Sequence, residues 1–321
     1  MPTPTWTQTI DSLFTATWAE RKKEAIDQAF LKTPVIFWLR EAGRVDQISG
    51  FRRIEIPLNY GTNETVRWIS RGKPVPMQDS EILTTAYEDW RYVAVNIMRW
   101  FEEDQKNRSK AQAIRLIETK LDTAERSLWE EQERAVFADG SGVDEPNGLA
   151  NLIAVAPTTG TVHGLDRATY TWWQNQTKTA TGAAEVYLVS DMRTCLNDVT
   201  KYSKSEIKDI FMVTNQAVFE LYEDVCLEMK ILQNTKLADA SFDSIMFKGR
   251  PIIWSPSAPA GQMRFINPNY IKLTCDEEFY MEMTEWKSIP DQPFDKVAQI
   301  LCTQNLITSR AICQKVLHTI A

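Results

Sequence analysis

The apolar positions of this chain change their spacing several times, and each change marks an element. Trp6, Ile10, Phe14, Trp18 and Ile26 fall on one side of a stretch from Trp6 to Phe30 that also carries Arg21-Lys22-Lys23-Glu24. Steps of four and eight residues predict an amphipathic helical arm, packed on its own domain or laid across a neighbour. Thr33-Pro34 restarts the chain, and Val35 to Leu39 is a short apolar segment before Gly43. From Phe51 the period becomes two. Ile54, Ile56 and Leu58 alternate with Arg53, Glu55 and Asn59, the mark of a strand with one apolar face. Gly61-Thr62-Asn63 interrupts it, Val66, Trp68 and Ser70 continue the alternation, and Arg71-Gly72-Lys73-Pro74-Val75-Pro76 forms a basic tip rich in turn residues. Ile82 to Ile97 reads as the returning strand, with Trp90, Tyr92 and Ala94 on one face and Arg91, Val93 and Val95 on the other. An isolated hairpin is marginal in water, so one this long needs a partner surface, either its own domain or another copy.

The period then lengthens to that of a helix. Between Gln105 and Phe137 there is no proline or glycine, and Ala111, Ile114, Ile117, Leu121, Ala124, Leu128 and Ala135 recur mostly at steps of three or four. This predicts a single helix of roughly 50 Å, a spine with a narrow apolar stripe. Arg115 with Glu118, Asp122 with Arg126 and Glu130 with Arg134 are spaced to support its exposed side. Asp139-Gly140-Ser141-Gly142 ends it.

Beyond the stop, Leu149 to Val155 is apolar and Pro157 to Gly164 reads as a loop. Val186 to Ser190 reads as a buried strand, Asp191 to about Thr200 as a helix, Phe211 to Thr214 as a strand and Asn215 to Leu227 as a helix, which makes a compact α/β layer. Phe247 to Trp254, with Gly249-Arg250-Pro251 at its centre, reads as a strand pair. From about Asn269 the alternation returns: Phe279, Met281 and Met283 face one way and Tyr280, Glu282 and Thr284 the other. Pro290 to Pro293 turns the chain, and Lys296 to Thr303 is the next strand. With both helices and strands predicted, the chain is placed in the α+β class.

Length and charge narrow the picture. The 321 residues suffice for about two cores. With 43% apolar, 25% charged and 10% aromatic residues, the composition is that of a folded soluble protein. A net charge of −7 opposes general affinity for nucleic acid, which depends on cationic side chains neutralising phosphates. No apolar run approaches a membrane span, and Met1 to Thr9 lacks the features of a secretory signal, so a cytosolic product without membrane association is expected. Cys195, Cys226, Cys275, Cys302 and Cys313 are odd in number and widely spaced, which fits reduced, buried thiols.

Catalytic and cofactor motifs are absent. There are two histidines, His163 in a glycine-flanked loop and His318 near the terminus, no Cys-x-x-Cys, no dinucleotide or phosphate loop and no Gly-x-Ser-x-Gly elbow. His163 is expected to lie near solvent, and Glu130, Glu131 and Glu133 to be solvated on the polar side of the spine. No catalytic residue, cofactor or metal ligand is assigned. The candidate functional residues are instead large or cationic groups suited to subunit contacts: Trp6 and Trp18 on the arm, Arg53, Trp68, Arg71 and Lys73 on the hairpin.

The order of these pieces resembles the major capsid proteins of tailed double-stranded DNA phages, the Hong Kong 97-type fold. The resemblance spans essentially the whole chain. It is sharpest at Phe137 to Gly142 leading to Pro146-Asn147-Gly148-Leu149, at Thr161 to Arg167 leading to Trp172 to Gln176, and at Trp286 to Arg310. It implies an N-arm at 1–50, an E-loop at 51–88 lying over the next subunit, a peripheral domain at 89–148 and 269–321, and an axial domain at 149–268. It further implies pentamers and hexamers closing into an icosahedral shell around packaged DNA that is enclosed without specific binding, in a virion assembled in the host cytoplasm. Because the spine begins near Gln105, no room is left for a long cleaved scaffolding segment. A separate scaffolding protein is then expected, with a portal and possibly a decoration protein as further partners. Some members join an E-loop lysine to a neighbour's asparagine, and Lys73 and Asn305 stand nearest to that pair. Two alternatives stay open: an encapsulin-like compartment holding cargo enzymes, and a soluble enzyme with its site between the α/β layer and the sheet.

Overall fold

The computed structural model describes residues 17–18, 34–49, 52–61, 65–71, 82–106, 110–142, 144–203, 210–229, 245–290 and 292–321. The predicted arm, apart from Thr17 and Trp18, lies outside them, as does the tip from Gly72 to Pro76. The strands are β1 (Val45–Ile48), β2 (Ile54–Asn59), β3 (Leu83–Glu88), β4 (Arg91–Arg99), β5 (Thr161–Val162), β6 (Leu165–Asp166), β7 (Gln176–Thr179), β8 (Phe211–Thr214), β9 (Ile245–Phe247), β10 (Arg250–Trp254), β11 (Gln262–Ile266), β12 (Ile271–Met283), β13 (Lys287–Ile289), β14 (Gln292–Thr308) and β15 (Lys315–His318). They form two main sheets. In one, β14 pairs with β12 and β13 along one edge and with β4 along the other, while β1 adds to β12 in parallel. The second runs β7-β15-β11-β8-β10-β9.

The spine helix spans Lys110–Val136, about 40 Å at 1.5 Å per residue. It is shorter than expected, because residues 101–106 form a helix of their own before it. Its buried face holds Ile117, Leu121, Ala124 and Leu128 as predicted, with Trp129 and Val136 besides, and it packs on β4. The side chains of Ala111, Ile114 and Arg115 lie outside the described residues. Arg134 pairs with Glu131 rather than Glu130, through Nε–Oε2 and Nη2–Oε1 contacts of 2.9 and 2.6 Å, since three-residue spacing brings the two over the same turn.

Other expectations need correction. Val35 to Leu39 belongs to a helix, Pro34–Glu41. The supposed strand Val186 to Ser190 is the start of one helix, Ala184–Tyr202; Val186 and Tyr187 are exposed while Leu188, Met192, Cys195, Leu196 and Val199 are buried. A helical stripe thus began inside an apolar run too short to show its period. The returning strand Ile82 to Ile97 is two strands, broken at Asp89-Trp90, because β3 pairs with β2 and β4 with β14. Alternation along Val66 to Ser70 gives no strand, and the loop from Pro157 runs into the small β5–β6 hairpin, in which Thr161 stands opposite Asp166 and Val162 opposite Leu165. In β12 the register shifts between Cys275 and Tyr280 and again before Glu282, where Met281 takes φ 58°. Consequently Tyr280 and Met281 are both buried and Phe279 is exposed, which a strict period of two cannot give. Gln292 and Pro293 already lie in β14.

Alternation in the six-stranded sheet divides the interior. Met212, Ile252, Met263, Phe265 and Leu317 face the helices Ala184–Tyr202 and Gln216–Met229. Phe211, Val213, Ile253, Ile266 and Val316 join the core under the spine. All five cysteines are free and buried. Burial pushes the Cys302 thiol up to about 12 and those of Cys195 and Cys313 to about 11. The thiolate is the reactive form, so none of the five is expected to react with a maleimide in the native protein, and all five in denaturant, as counted by intact mass.

Candidate subunit interface

The hairpin β2–β3 is built on an inner row of Ile54, Ile56 and Leu58, which are buried while Glu55, Pro57 and Asn59 are exposed. Its register runs from Ile54 opposite Glu88 to Asn59 opposite Leu83. At the base, Glu88 turns inward to His163. His163 is 2% exposed, not near solvent as the sequence suggested. Its Nδ1 lies 2.8 Å from Glu88 Oε2, and its Nε2 accepts the Thr308 N–H at 3.0 Å. A ring nitrogen that accepts from a backbone amide carries no proton, so Nδ1 holds the hydrogen and donates to the carboxylate. The Tyr87 N–H donates to the His163 carbonyl at 3.3 Å. The loop residue missed by periodicity therefore ties β3 to β14. Only its place between two turn regions hinted at it: His163 itself has φ 51° and Gly164 φ 76°.

Asn305 completes the base. Its Nδ2 donates to the Asp89 carbonyl at 2.9 Å, and its Oδ1 accepts from the Asn147 and Leu306 amides. It is 1% exposed, so its amide is committed within the chain and is not presented to a neighbour's lysine. Arg167 is also enclosed, with Nη2 on the Leu152 carbonyl at 3.1 Å, and burial pushes its guanidinium down to about 10. Glu133 accepts from Ser255 Oγ at 2.6 Å and is only half-exposed, tying the spine to the six-stranded sheet.

Farther out, Tyr60 stacks on Trp172 with centroids 5.0 Å apart. Past this pair the segment Thr65 to Arg71 runs without regular structure. Val66 is 84%, Trp68 104% and Ile69 55% exposed. The candidate residues are therefore dispersed. Arg53 is at the base, in a 2.8 Å ion pair with Asp89, both half-exposed. Trp68 and Arg71 lie on the outer segment and are exposed. Trp18 is buried in the chain's own core, with no surface for a neighbour. Trp6 and Lys73 lie outside the described residues. Among the described residues no group of three His, Cys, Asp or Glu side chains is placed to hold a metal ion, and no helix is long and apolar enough to cross a membrane.

No protein-family model and no curated protein matches the sequence. Solved structures do match in fold. The capsid of cyanophage A-1(L) aligns with a TM-score of 0.65 at 15% identity, over 90% of this chain and 93% of that one. The capsid of a native GTA particle gives 0.58 at 14% identity, over 88% and 90%. The holo-SrpI encapsulin of Synechococcus elongatus PCC 7942 gives 0.53 at 12% identity, over 86% and 85%. Spine, hairpin and two sheets in this order, aligned over nearly the full length of phage capsid subunits, give the chain the α+β fold of the Hong Kong 97 type.

Proposed function

We propose that this protein is a major capsid protein of a tailed phage, whose copies assemble as pentamers and hexamers into an icosahedral shell around double-stranded DNA. The observation that carries the reading is the outer hairpin segment. A chain with two well-formed cores nevertheless holds Val66, Trp68 and Ile69 in water, an arrangement that favours burial against another molecule. In a capsid fold that molecule is a second copy, and repeated identical contacts close by symmetry.

On this reading residues 1–50 are the N-arm, 51–88 the E-loop, 89–148 with 269–321 the peripheral domain and 149–268 the axial domain. The protein is structural rather than catalytic and resides in the virion, with a separate scaffolding protein and a portal as partners in host-cytoplasmic assembly. The acidic balance of −7 suits a wall that encloses DNA without binding it. The encapsulin-like alternative predicts particles that carry protein cargo and no nucleic acid.

The test is expression of the chain alone and with its neighbouring gene products, followed by size-exclusion chromatography and electron microscopy. Hollow particles of uniform diameter or capsomer rings are expected, and packaged nucleic acid in particles taken from lysates. A stable monomer at all concentrations and with every co-expressed product would overturn the reading.

A further inference from the structure

Three segments that are distant in the sequence meet at the root of the hairpin: residues 87–89 at the end of β3, residues 305–308 at the end of β14, and the loop that follows the spine helix. Asn305, on the second of these, holds the other two. Its Nδ2 donates to the Asp89 carbonyl at 2.9 Å, while its Oδ1 accepts the Asn147 N–H at 3.1 Å and the Leu306 N–H at 2.9 Å. The same segments form walls of a groove of about 480 Å³, lined among others by Arg91, Pro146 and Gln304, which follow or precede Asp89, Asn147 and Asn305 by no more than two residues. We infer that Asn305 is a mechanical joint, which couples the seating of the hairpin to the loop at the end of the spine and, through that loop, to the width of the groove. The inference goes beyond the shell reading and holds for a single subunit.

The chemistry of a carboxamide suits this role. It offers an N–H donor and an oxygen that takes two hydrogens, and both are used here at once. Aspartate would still accept from the two amides but would set a carboxylate oxygen against the Asp89 carbonyl, and leucine would keep the volume and satisfy no partner. Asn305 is 1% exposed, so water does not replace a lost partner, and a segment that shifts must carry the side chain with it or leave a buried polar group unpaired. Such hydrogen bonds pass displacement between packed segments. On the loop side the chain is equally tied. Asn147 Oδ1 accepts from Asn151 Nδ2 at 2.7 Å, and the Asn151 and Leu152 amides bond to the Gly148 carbonyl at 3.1 and 3.0 Å, so movement of Asn147 reaches the short helix Leu149–Leu152. On the hairpin side β2 and β3 pair only with each other. His163 makes a second tie there, but it reaches β14 and leaves the loop after the spine untouched. Because coupling of this kind is reciprocal, a contact made by the outer hairpin is felt at the groove, and anything seated in the groove alters the set of the hairpin.

The test disturbs the hairpin away from the joint and reads the loop. Leu58 is buried in the inner row, four residues along β2 from Ile54, which stands opposite Glu88, so Leu58→Ala acts about 13 Å along the strand from the root. Hydrogen exchange is followed in the unassembled subunit, with each rate taken relative to the amides of β8 and β11. Leu58→Ala is expected to speed exchange in β3 and also, by about threefold or more, at the Asn147, Asn151 and Leu152 amides. Combined with Asn305→Asp, the same change should still speed β3 but no longer move the three loop amides. Asn305→Leu repeats the cut should the aspartate variant not fold, and if neither folds the response with Asn305 in place decides alone. A loop that ignores Leu58→Ala while Asn305 is present, or that follows it equally in Asn305→Asp, overturns the joint and leaves the shell reading intact.

Discussion

Gly148→Ala is expected to leave little folded protein, a larger effect than the same change at the other described glycines. A Cβ at Gly148 would stand 2.5 Å from the Ala138 carbonyl oxygen and 2.6 Å from that of Ala135, with the Ala138 nitrogen closer still. All three are backbone atoms at the end of the spine helix, where the amides of Phe137 and Ala138 bond to the Arg134 and Ala135 carbonyls. No side chain can rotate away to make room. The loop would have to leave the helix, taking with it Leu149 and Leu152, both fully buried, and the Asn147 amide that donates to Asn305. Costs above about 4 kcal/mol are expected for such overpacking at a main-chain crossing. Gly43→Ala is the control: Gly43 has φ +65° but no atom within 4 Å of its would-be Cβ, so only backbone strain of about 1 kcal/mol applies. Urea unfolding of both variants checks the contrast. A Gly148→Ala protein as stable as Gly43→Ala would show that the crossing can open cheaply.

The elements most legible in the sequence were those whose two sides face different surroundings. β2 alternates because one face meets the core and the other water, and the spine helix shows its stripe for the same reason. β8 was legible as a short run of buried residues between breaks, since both of its faces are covered. Elements failed where the surroundings change within the element. Val186 and Tyr187 open a helix yet point outward, so an apolar run imitated a strand. The β12 bulge buries consecutive residues Tyr280 and Met281, and no periodic template describes that. Trp68, Val66 and Ser70 kept a strand's alternation, but among the described residues no strand pairs with them. Among the candidate contact residues, the exposure of Trp68 and Arg71 was readable from the turn-rich tip beside them. The burial of Trp18, His163 and Asn305 was not, because it depends on contacts made across long sequence separations, 75 residues between His163 and Glu88 and 158 between Asn305 and Asn147.

His163→Leu is expected to loosen the hairpin at its root. The substitution keeps an apolar body of similar size but removes both hydrogen-bonding nitrogens. The Glu88 carboxylate, in a side chain 10% exposed, then has no donor at Nδ1, and the Thr308 N–H has no acceptor. Stranding a buried charge costs about 3–5 kcal/mol, and an unmade amide hydrogen bond adds about 1–3 kcal/mol. Glu88→Gln should cost far less, about 1 kcal/mol, because an amide oxygen still accepts the Nδ1 hydrogen. The φ of 51° at residue 163 penalises leucine independently of the pair, so a double-mutant cycle with Glu88→Leu isolates the interaction: a coupling of about 2 kcal/mol is expected, with the backbone term cancelling. Hydrogen exchange supplies the local readout. Amides of β3, Tyr87 above all, should exchange faster in His163→Leu, whereas those of β8 and β11 in the second sheet keep their protection relative to global stability. Unchanged exchange in β3 together with a coupling near zero would mean that the hairpin is held by its Ile54, Ile56 and Leu58 row alone. If the coupling is present, the segment that carries Trp68 is set at a fixed angle by a neutral imidazole bridging two strands that are far apart in the sequence, and the orientation of the proposed subunit contact is decided at the base of the hairpin rather than at its exposed end.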